Sequence, residues 1–222
     1  MCIGRCQRLP YAATCRITAH SQEATAGTHP CADRDDDDVS DSFIGRLLVA
    51  SPSLVDPNFR RTVVLICAHD DSGITGVVLN RPLEADLVDH LPEWRHRATS
   101  PPVVFEGGPV QREVVIGLGR SRAPGESAGW SEVLGEVGLF DLSLHPEDVG
   151  DDLVAIRVFS GYAGWGVEQL EAEIAEGAWF VVDAEPDDPF AREPGRLWRD
   201  VLRRQTERLA IFADFPPDPS MN

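Results

Sequence analysis

A serine flanked by glycines, Gly125-Glu-Ser-Ala-Gly129, satisfies the GxSxG pattern that elsewhere holds a nucleophilic Ser127-type hydroxyl on a strained strand-to-helix turn. That chemistry needs a strand before the motif, a helix after it, and an acid and a histidine downstream. Here the preceding residues, Gly119-Arg-Ser-Arg-Ala-Pro124, are polar and broken by proline, and Asp141 and His145 stand only four apart. The expected structure is a flexible loop, with no serine hydrolase. His69-Asp70-Asp71 and His145-Pro146-Glu147-Asp148 contain metal-ligating types but lack helically spaced histidines or paired cysteines. Both fit surface turns, where Asp closes local hydrogen bonds and Pro presets φ. No catalytic residue, metal or cofactor is assigned from these motifs.

Binding chemistry has better material. Arg81, in Asn80-Arg81-Pro82 after an apolar run, can grip a carboxylate with two parallel N–H groups, in a ligand or within the fold. Gly107 and Gly108, in Glu106-Gly-Gly-Pro109, either present backbone N–H groups to an anion or form a tight turn for close packing. In Gly161-Tyr-Ala-Gly-Trp-Gly166 the glycines leave room beside two large rings. Tyr162 and Trp165 therefore form either a stacking shelf for a ligand or anchors that pin a helix to a sheet. Asp56-Pro-Asn-Phe59 is expected to be a turn whose Phe enters the core.

The composition limits the partners. The 222-residue chain has 37 acidic and 20 basic residues, a net charge of -17, and every basic residue is arginine. The absence of lysine excludes a P-loop lysine and Schiff-base chemistry. Such acidity disfavours direct nucleic-acid binding, which leans on a basic surface. No apolar stretch approaches the roughly 20 residues of a membrane span. Residues 1–42 hold Cys2, Cys6, Cys15 and Cys31 and the run Asp35–Asp38, with no apolar periodicity and no continuous apolar leader. They are expected to be a disordered extension with reduced thiols, in a protein of the cytoplasm.

The body, residues 43–215, is expected to be one α+β domain, followed by a short tail over 216–222. Short β-branched runs predict about eight strands: Phe43–Ala50, Thr62–Ala68, Ile74–Leu79, Val103–Phe105, Val114–Leu118, Val137–Ser143, Leu153–Ser160 and Trp179–Asp183. Thr62–Ala68 is apolar throughout and should be covered on both faces. His69–Gly73 should turn it into a hairpin with Ile74–Leu79. Helical spacing marks three segments: Asp86–Trp94; Val167–Glu176, with Val167, Leu170, Ile174 and Ala175 on one side and Gly177 as its cap; and Gly195–Phe212. The last carries Arg199, Arg203, Arg204 and Arg208 on its outer face, expected to pair within the protein. Arg120–Trp130 is expected to be a long loop.

Four ordered blocks resemble the AlgH/YqgE family of bacterial proteins. They are Gly45–Leu65 (GRLLVASPSLVDPNFRRTVVL), Gly76–Pro82 (GVVLNRP), Phe105–Val110 (FEGGPV), and Gly161–Gly166 followed by Gln169, Leu170 and Glu173. The resemblance spans the body and none of the first 42 residues. It implies an α+β domain whose mixed, mostly antiparallel, bifurcated sheet folds into a pseudo-barrel with about three helices, in a bacterial cytosolic protein. The family label implies a regulator of transcription, without an established activity. Where the family runs Gly-Trp-Gly-Pro-Gly-Gln-Leu, this chain has Gly164-Trp-Gly-Val-Glu-Gln-Leu170, a change expected to make the turn more helix-compatible.

The expected function is a non-enzymatic regulatory or adaptor protein acting through an unknown protein partner or a small ligand. Its working surface is placed around Asn80, Arg81, Gly107, Gly108, Tyr162, Trp165 and Gln169. The alternatives are an enzyme of unknown reaction with its cleft near Gly161–Gly166, and a direct nucleic-acid binder.

Overall fold

An apolar run without alternation has to be covered twice, and Thr62–Cys67 is covered in that way. The computed structural model describes residues 43–124 and 129–216. Its strands, in chain order, are β1 (Arg46–Ala50), β2 (Val63–Asp70), β3 (Gly73–Val78), β4 (Pro82–Asp86), β5 (Val103–Glu106), β6 (Val110–Ser121), β7 (Trp130–Leu134), β8 (Val137–Phe140), β9 (Leu153–Trp165) and β10 (Trp179–Asp183). Helices are short: α1 (Leu87–His90), α2 (Pro146–Val149), α3 (Gln169–Ala175), α4 (Leu197–Arg203) and α5 (Glu207–Ala210). Along β2, Val63, Leu65 and Cys67 enter one core while Val64 and Ile66 enter a second on the opposite face. The first core lies inside the curl of the sheet and is closed by Trp198, Val201 and Leu202 of α4. The second is closed by Leu170 of α3. A third, around Leu87, Trp94, Phe140 and Leu153, lies under α1 and α2.

The sheet runs β10-β1-β2-β3-β9-β6-β8-β7 and forks at β9. One edge of β9 pairs antiparallel with β6 over most of its length. The other pairs parallel with β5 through Val158, Phe159 and Ser160, then antiparallel with β3 through Ala163, Gly164 and Trp165. The curl brings β7 back toward β1: a Cβ added to Gly45 would lie 2.8 Å from the Val133 carbonyl oxygen. This is the expected α+β single domain with a bifurcated, pseudo-barrel sheet. Arg157, buried on β9 without a carboxylate, donates to the Ser100 and Ala191 carbonyls and lies 4.3 Å over the Phe105 ring. Burial lowers its pKa to about 10, still cationic at neutral pH.

Several boundaries differ from expectation, each for a local reason. Gly161–Trp165 belongs to β9 and does not follow it, because the positive φ of Gly161 (+71°) bends the strand without ending it. The expected loop Arg120–Trp130 is trimmed at both edges, β6 running to Ser121 and β7 starting at Trp130, and β7 is a strand not foreseen, paired to β8 through a tight turn at Gly135, φ +54°. Residues 1–42, Gly125–Ala128 and 217–222 lie outside the described residues. Ser127 of the GxSxG motif lies among these, and the next described element is strand β7, where a nucleophile turn would lead into a helix. β4 (PLEAD) begins on proline and is mostly exposed, the character of an edge strand with no apolar signal. The final helix breaks at Gln205-Thr206 into α4 and α5.

The start of α3 reverses one expectation. Val167 is 67% exposed and takes no part in the helix's buried face. Glu168 has φ +63°, in the left-handed region, so the change from Gly to Glu forces a side chain into glycine's conformation and does not ease the helix's start. Gln169 compensates locally, its Oε1 accepting the Gly166 N–H at 3.1 Å. At the other end Gly177 (φ +77°) caps α3 as expected, its N–H donating to Ile174 and that of Ala178 to Glu173.

Two outcomes follow from this packing. Glu168→Gly should raise stability by about 0.5–1 kcal/mol, relief of left-handed strain exceeding the added unfolded-chain entropy, measurable by urea denaturation. Cys67 is buried and its thiol is pushed up to about 12, so at pH 8 it stays protonated. Residue-resolved mass spectrometry should find it unalkylated by iodoacetamide in the folded protein and alkylated in urea.

Candidate functional site

The segment between β1 and β2, Ser51–Thr62, is a loop with its own hydrogen bonds. Asp56 Oδ1 accepts the Asn58 N–H at 2.8 Å, the Asp56 carbonyl accepts the N–H groups of Phe59 and Arg60, and the Thr62 hydroxyl donates to the Phe59 carbonyl at 2.7 Å. Phe59 turns inward as expected and stacks on Trp165, with ring centroids 6.0 Å apart. Arg60 and Arg61 are thereby turned outward together. Arg61 has φ +58°, a left-handed conformation that persists only where neighbours over-determine it. Asn80 is that neighbour: its Nδ2 donates to the Arg61 carbonyl at 2.8 Å and its Oδ1 accepts the Val63 N–H at 3.0 Å. Arg81 Nη2 donates to the Arg60 carbonyl at 2.6 Å.

These arginines face a pocket of about 720 Å³. It is lined by Ser51, Ser53, Arg60, Arg61 and Arg81 and by an aromatic wall of Phe180 of β10 with Phe212, Phe215 and Pro216 of the C-terminal segment. Phe212 stacks against Phe180 at 5.2 Å and 24°, and Phe215 tilts onto Phe212. The Arg61 guanidinium lies 4.1 Å over the Trp198 ring and donates to the Phe215 carbonyl at 2.9 Å, tying loop to wall. Burial, then repulsion from Arg199 and Arg60, lowers the Arg61 pKa. Among the described residues Arg60, Arg61, Arg81 and Arg199 have no carboxylate within ion-pair distance. By contrast Arg46, Arg97, Arg112, Arg120, Arg203 and Arg204 each meet an Asp or Glu. A cluster of unpaired guanidiniums beside exposed rings is suited to holding an anion with an apolar part.

The residues named from sequence take different places. Arg81 lines the pocket and Asn80 braces it from behind. Gly107 and Gly108 press on β9: a Cβ on Gly107 would lie 2.2 Å from the Gly161 carbonyl oxygen, and one on Gly108 2.2 Å from the Tyr162 carbonyl carbon. The Gly107 N–H donates to Ser160 and its carbonyl accepts from Val78, so neither faces a ligand. Tyr162 is half-buried on β9. Trp165 is buried, and its Nε1 and that of Trp179 both donate to Glu173 Oε2, at 3.0 and 2.8 Å, while Gln169 Nε2 donates to Oε1. Trp165 therefore pins α3 to the sheet. The pocket residues that sequence reasoning passed over are Ser51, Ser53, Arg60, Arg61, Phe180, Phe212 and Phe215. The signal was the adjacent pair Arg60-Arg61 in a loop, in a chain otherwise dominated by acids.

The histidine–acid turns resolve as local structure. Asp70 Oδ1 accepts from Ser72, which holds its carboxyl below the usual range. Asp141 closes a turn onto the Ser143 N–H, and His145 stands at the N-terminus of α2. Among the described residues no His, Cys, Asp and Glu cluster has the arrangement to hold a metal. No described helix is long and apolar enough to cross a membrane.

A family model described as AlgH-like matches residues 47–210. The chain belongs to that family. A UPF0301 protein of Streptomyces coelicolor is 51% identical over 185 residues, covering 82% of this chain and 96% of the relative. One from Thermobifida fusca is 43% identical over 190 residues, with the same coverage. Among solved structures, a Corynebacterium diphtheriae protein superposes with a TM-score of 0.74 at 31% identity, covering 78% of this chain and 92% of that one. The AlgH protein of Pseudomonas aeruginosa gives 0.58 at 29%, covering 80% and 96%. The AlgH-like family is uncharacterised, so membership carries the fold and leaves ligand and reaction to the site itself.

Because Trp165 is an anchor in this AlgH-like fold, Trp165→Ala should cost about 3–5 kcal/mol in urea unfolding through the cavity it leaves. A near-neutral result would instead place the ring at an open ligand surface.

Proposed function

We propose that this AlgH-like protein is a non-enzymatic regulatory or adaptor protein of the bacterial cytosol, controlled by a small anion bound in the Arg60–Arg61–Arg81 pocket and acting through a protein partner. One observation carries the reading: three neighbouring guanidiniums without carboxylate partners among the described residues face one pocket, in a chain of net charge -17. Other described arginines also lack a carboxylate partner, but these three converge on one pocket and there set up a local positive field. A guanidinium keeps its charge across the physiological range and offers N–H groups in a rigid fork, properties of a holder of anions. It neither exchanges protons at neutral pH nor attacks a substrate, and the Ser51 and Ser53 hydroxyls face each other at 2.8 Å with no base between them. Binding therefore fits this pocket better than turnover.

Regulation is supported by the makeup of the wall. Phe212, Phe215 and Pro216 belong to the segment after α5, held to the body by Arg61 on the Phe215 carbonyl, Arg199 on the Ala213 carbonyl and Arg203 on Asp214. An anion that reorients Arg61 must alter the seating of this segment, whose Ile211 is 67% exposed and offers apolar area to a partner. Nucleic acid is a poorer target: of the arginines on and just after α4, Arg203 pairs with Asp214 and Arg204 with Asp188 and Glu185, while Arg199 is turned onto the Ala213 carbonyl.

Pyrophosphate should raise the thermal midpoint above that in chloride of equal ionic strength, by the stabilisation expected for a ligand selective for the folded state, about 2.7 kcal/mol at a hundredfold excess over Kd. It should also slow tryptic cleavage at Arg208. The double variant Arg60→Gln/Arg81→Gln should lose both effects; if polyanions and chloride act alike on the parent protein, the reading is wrong.

A further inference from the structure

We propose that the pocket selects a small phosphate monoester carried on a flat, apolar group, the phosphoryl oxygens on Arg60 and Arg81 and the ring against Phe215. This rests on the reading of the pocket as an anion site and adds the chemistry of the ligand. The charge comes first. Arg60, Arg61 and Arg81 stand together on the rim, and Arg199 is near enough to repel Arg61. A monocarboxylate brings one charge and a single pair of oxygens, whereas a phosphate monoester brings about -1.5 to -2 at neutral pH and three terminal oxygens.

The donors agree with that count. Each guanidinium has five N–H groups. Arg81 uses Nη2 on the Arg60 carbonyl and Arg61 uses Nη1 on the Phe215 carbonyl, while the Arg60 side chain has no hydrogen-bond partner among the described residues. Most of the fork donors of the trio therefore remain for a ligand with several acceptors.

The opposite wall excludes a bare ion as the full ligand. Phe215 is 46% exposed and Val55 is 76% exposed, both bordering the pocket, and Phe212, also lining it, stacks on Phe180 and tilts against Phe215. Inorganic phosphate would leave this apolar surface wet. A ring attached to the phosphoryl group would cover it and stack on Phe215. The volume of about 720 Å³ lies within the roughly 300–1,000 Å³ of sites for small organic molecules, far more than one phosphate fills.

Isothermal titration calorimetry with phenyl phosphate, inorganic phosphate and benzoate separates the contributions. Phenyl phosphate is expected to bind about tenfold or more tighter than either of the others, each tenfold step being about 1.4 kcal/mol. Arg60→Gln should weaken phenyl phosphate and inorganic phosphate by the same factor. Phe215→Ala should remove the advantage of phenyl phosphate and leave inorganic phosphate unchanged. Both side chains are exposed, and equal thermal midpoints for variant and parent check that the fold is kept. Equal affinity for phenyl phosphate and inorganic phosphate would overturn the ring contact while leaving the anion site standing. Binding of benzoate as tight as that of phenyl phosphate would overturn the choice of phosphate over carboxylate. No binding of any of the three at millimolar concentration, with no effect of Arg60→Gln, would bring down the anion site as well.

Discussion

At the fork of the sheet, the backbones of Gly107 and Gly108 lie on those of Gly161 and Tyr162 at distances a Cβ would violate, with 2.2 Å to the nearest atom in each case. This contact lets β9 exchange one neighbour for another. Below it β9 is paired with β5, and above it with β3, while the Gly107 peptide bridges the change by donating to Ser160 and accepting from Val78. A side chain here would hold the two branches apart and leave these backbone groups without partners in a buried setting, which is costly. The fork also delivers the end of β3 beside the loop after β1. Asn80 and Arg81 follow β3 directly, and through them the glycine contact reaches the pocket.

Charge is distributed in a pattern that fits this geometry. Much of the arginine content is spent on ion pairs at the surface, each of small value in water. Buried cations are handled differently. Arg157 relies on two carbonyls and an aromatic face, while the more exposed Arg204 meets the buried Asp188 through a hydrogen bond that raises the Arg204 pKa. Around Arg61 neither device is complete: there is a ring and one carbonyl, and the nearest charges are other arginines. Mutual repulsion in a partly desolvated place is a standing cost that an anion would remove. The acidic remainder of the molecule repels anions in general, so binding at the proposed site would depend on the local field of these arginines.

Much of the fold was legible because its signals are local. The uninterrupted apolar run of β2, the Asp-Ser-Gly turn into β3, the spacing of Leu170 and Ile174 and the cap at Gly177 each follow from neighbours within a few residues. Elements that depend on distant partners were harder. β4 is a strand because β5 lies beside it, and the polar start of β6 is one because β9 does. The break of the last helix at Gln205-Thr206 was not legible from apolar spacing: α4 buries Leu197, Trp198, Val201 and Leu202, whereas α5 has no fully buried residue. Trp165 illustrates the middle case. Its role as an anchor or a shelf turned on whether Glu173 and Trp179 close over it, and they do.

By itself, then, the chain's order of residues determined the strand-rich α+β architecture, the acidity and the two-sided burial of β2 through composition and short-range periodicity, and the family through the resemblance of four ordered blocks. The pocket was decided by tertiary structure alone. Its arginines come from the loop after β1 and the link between β3 and β4, and its rings from β10 and the C-terminal segment, at least 99 residues further along the chain. No spacing rule connects such positions. They meet because the forked sheet curls and because Asn80 holds Arg61 in a backbone conformation that its own sequence does not favour.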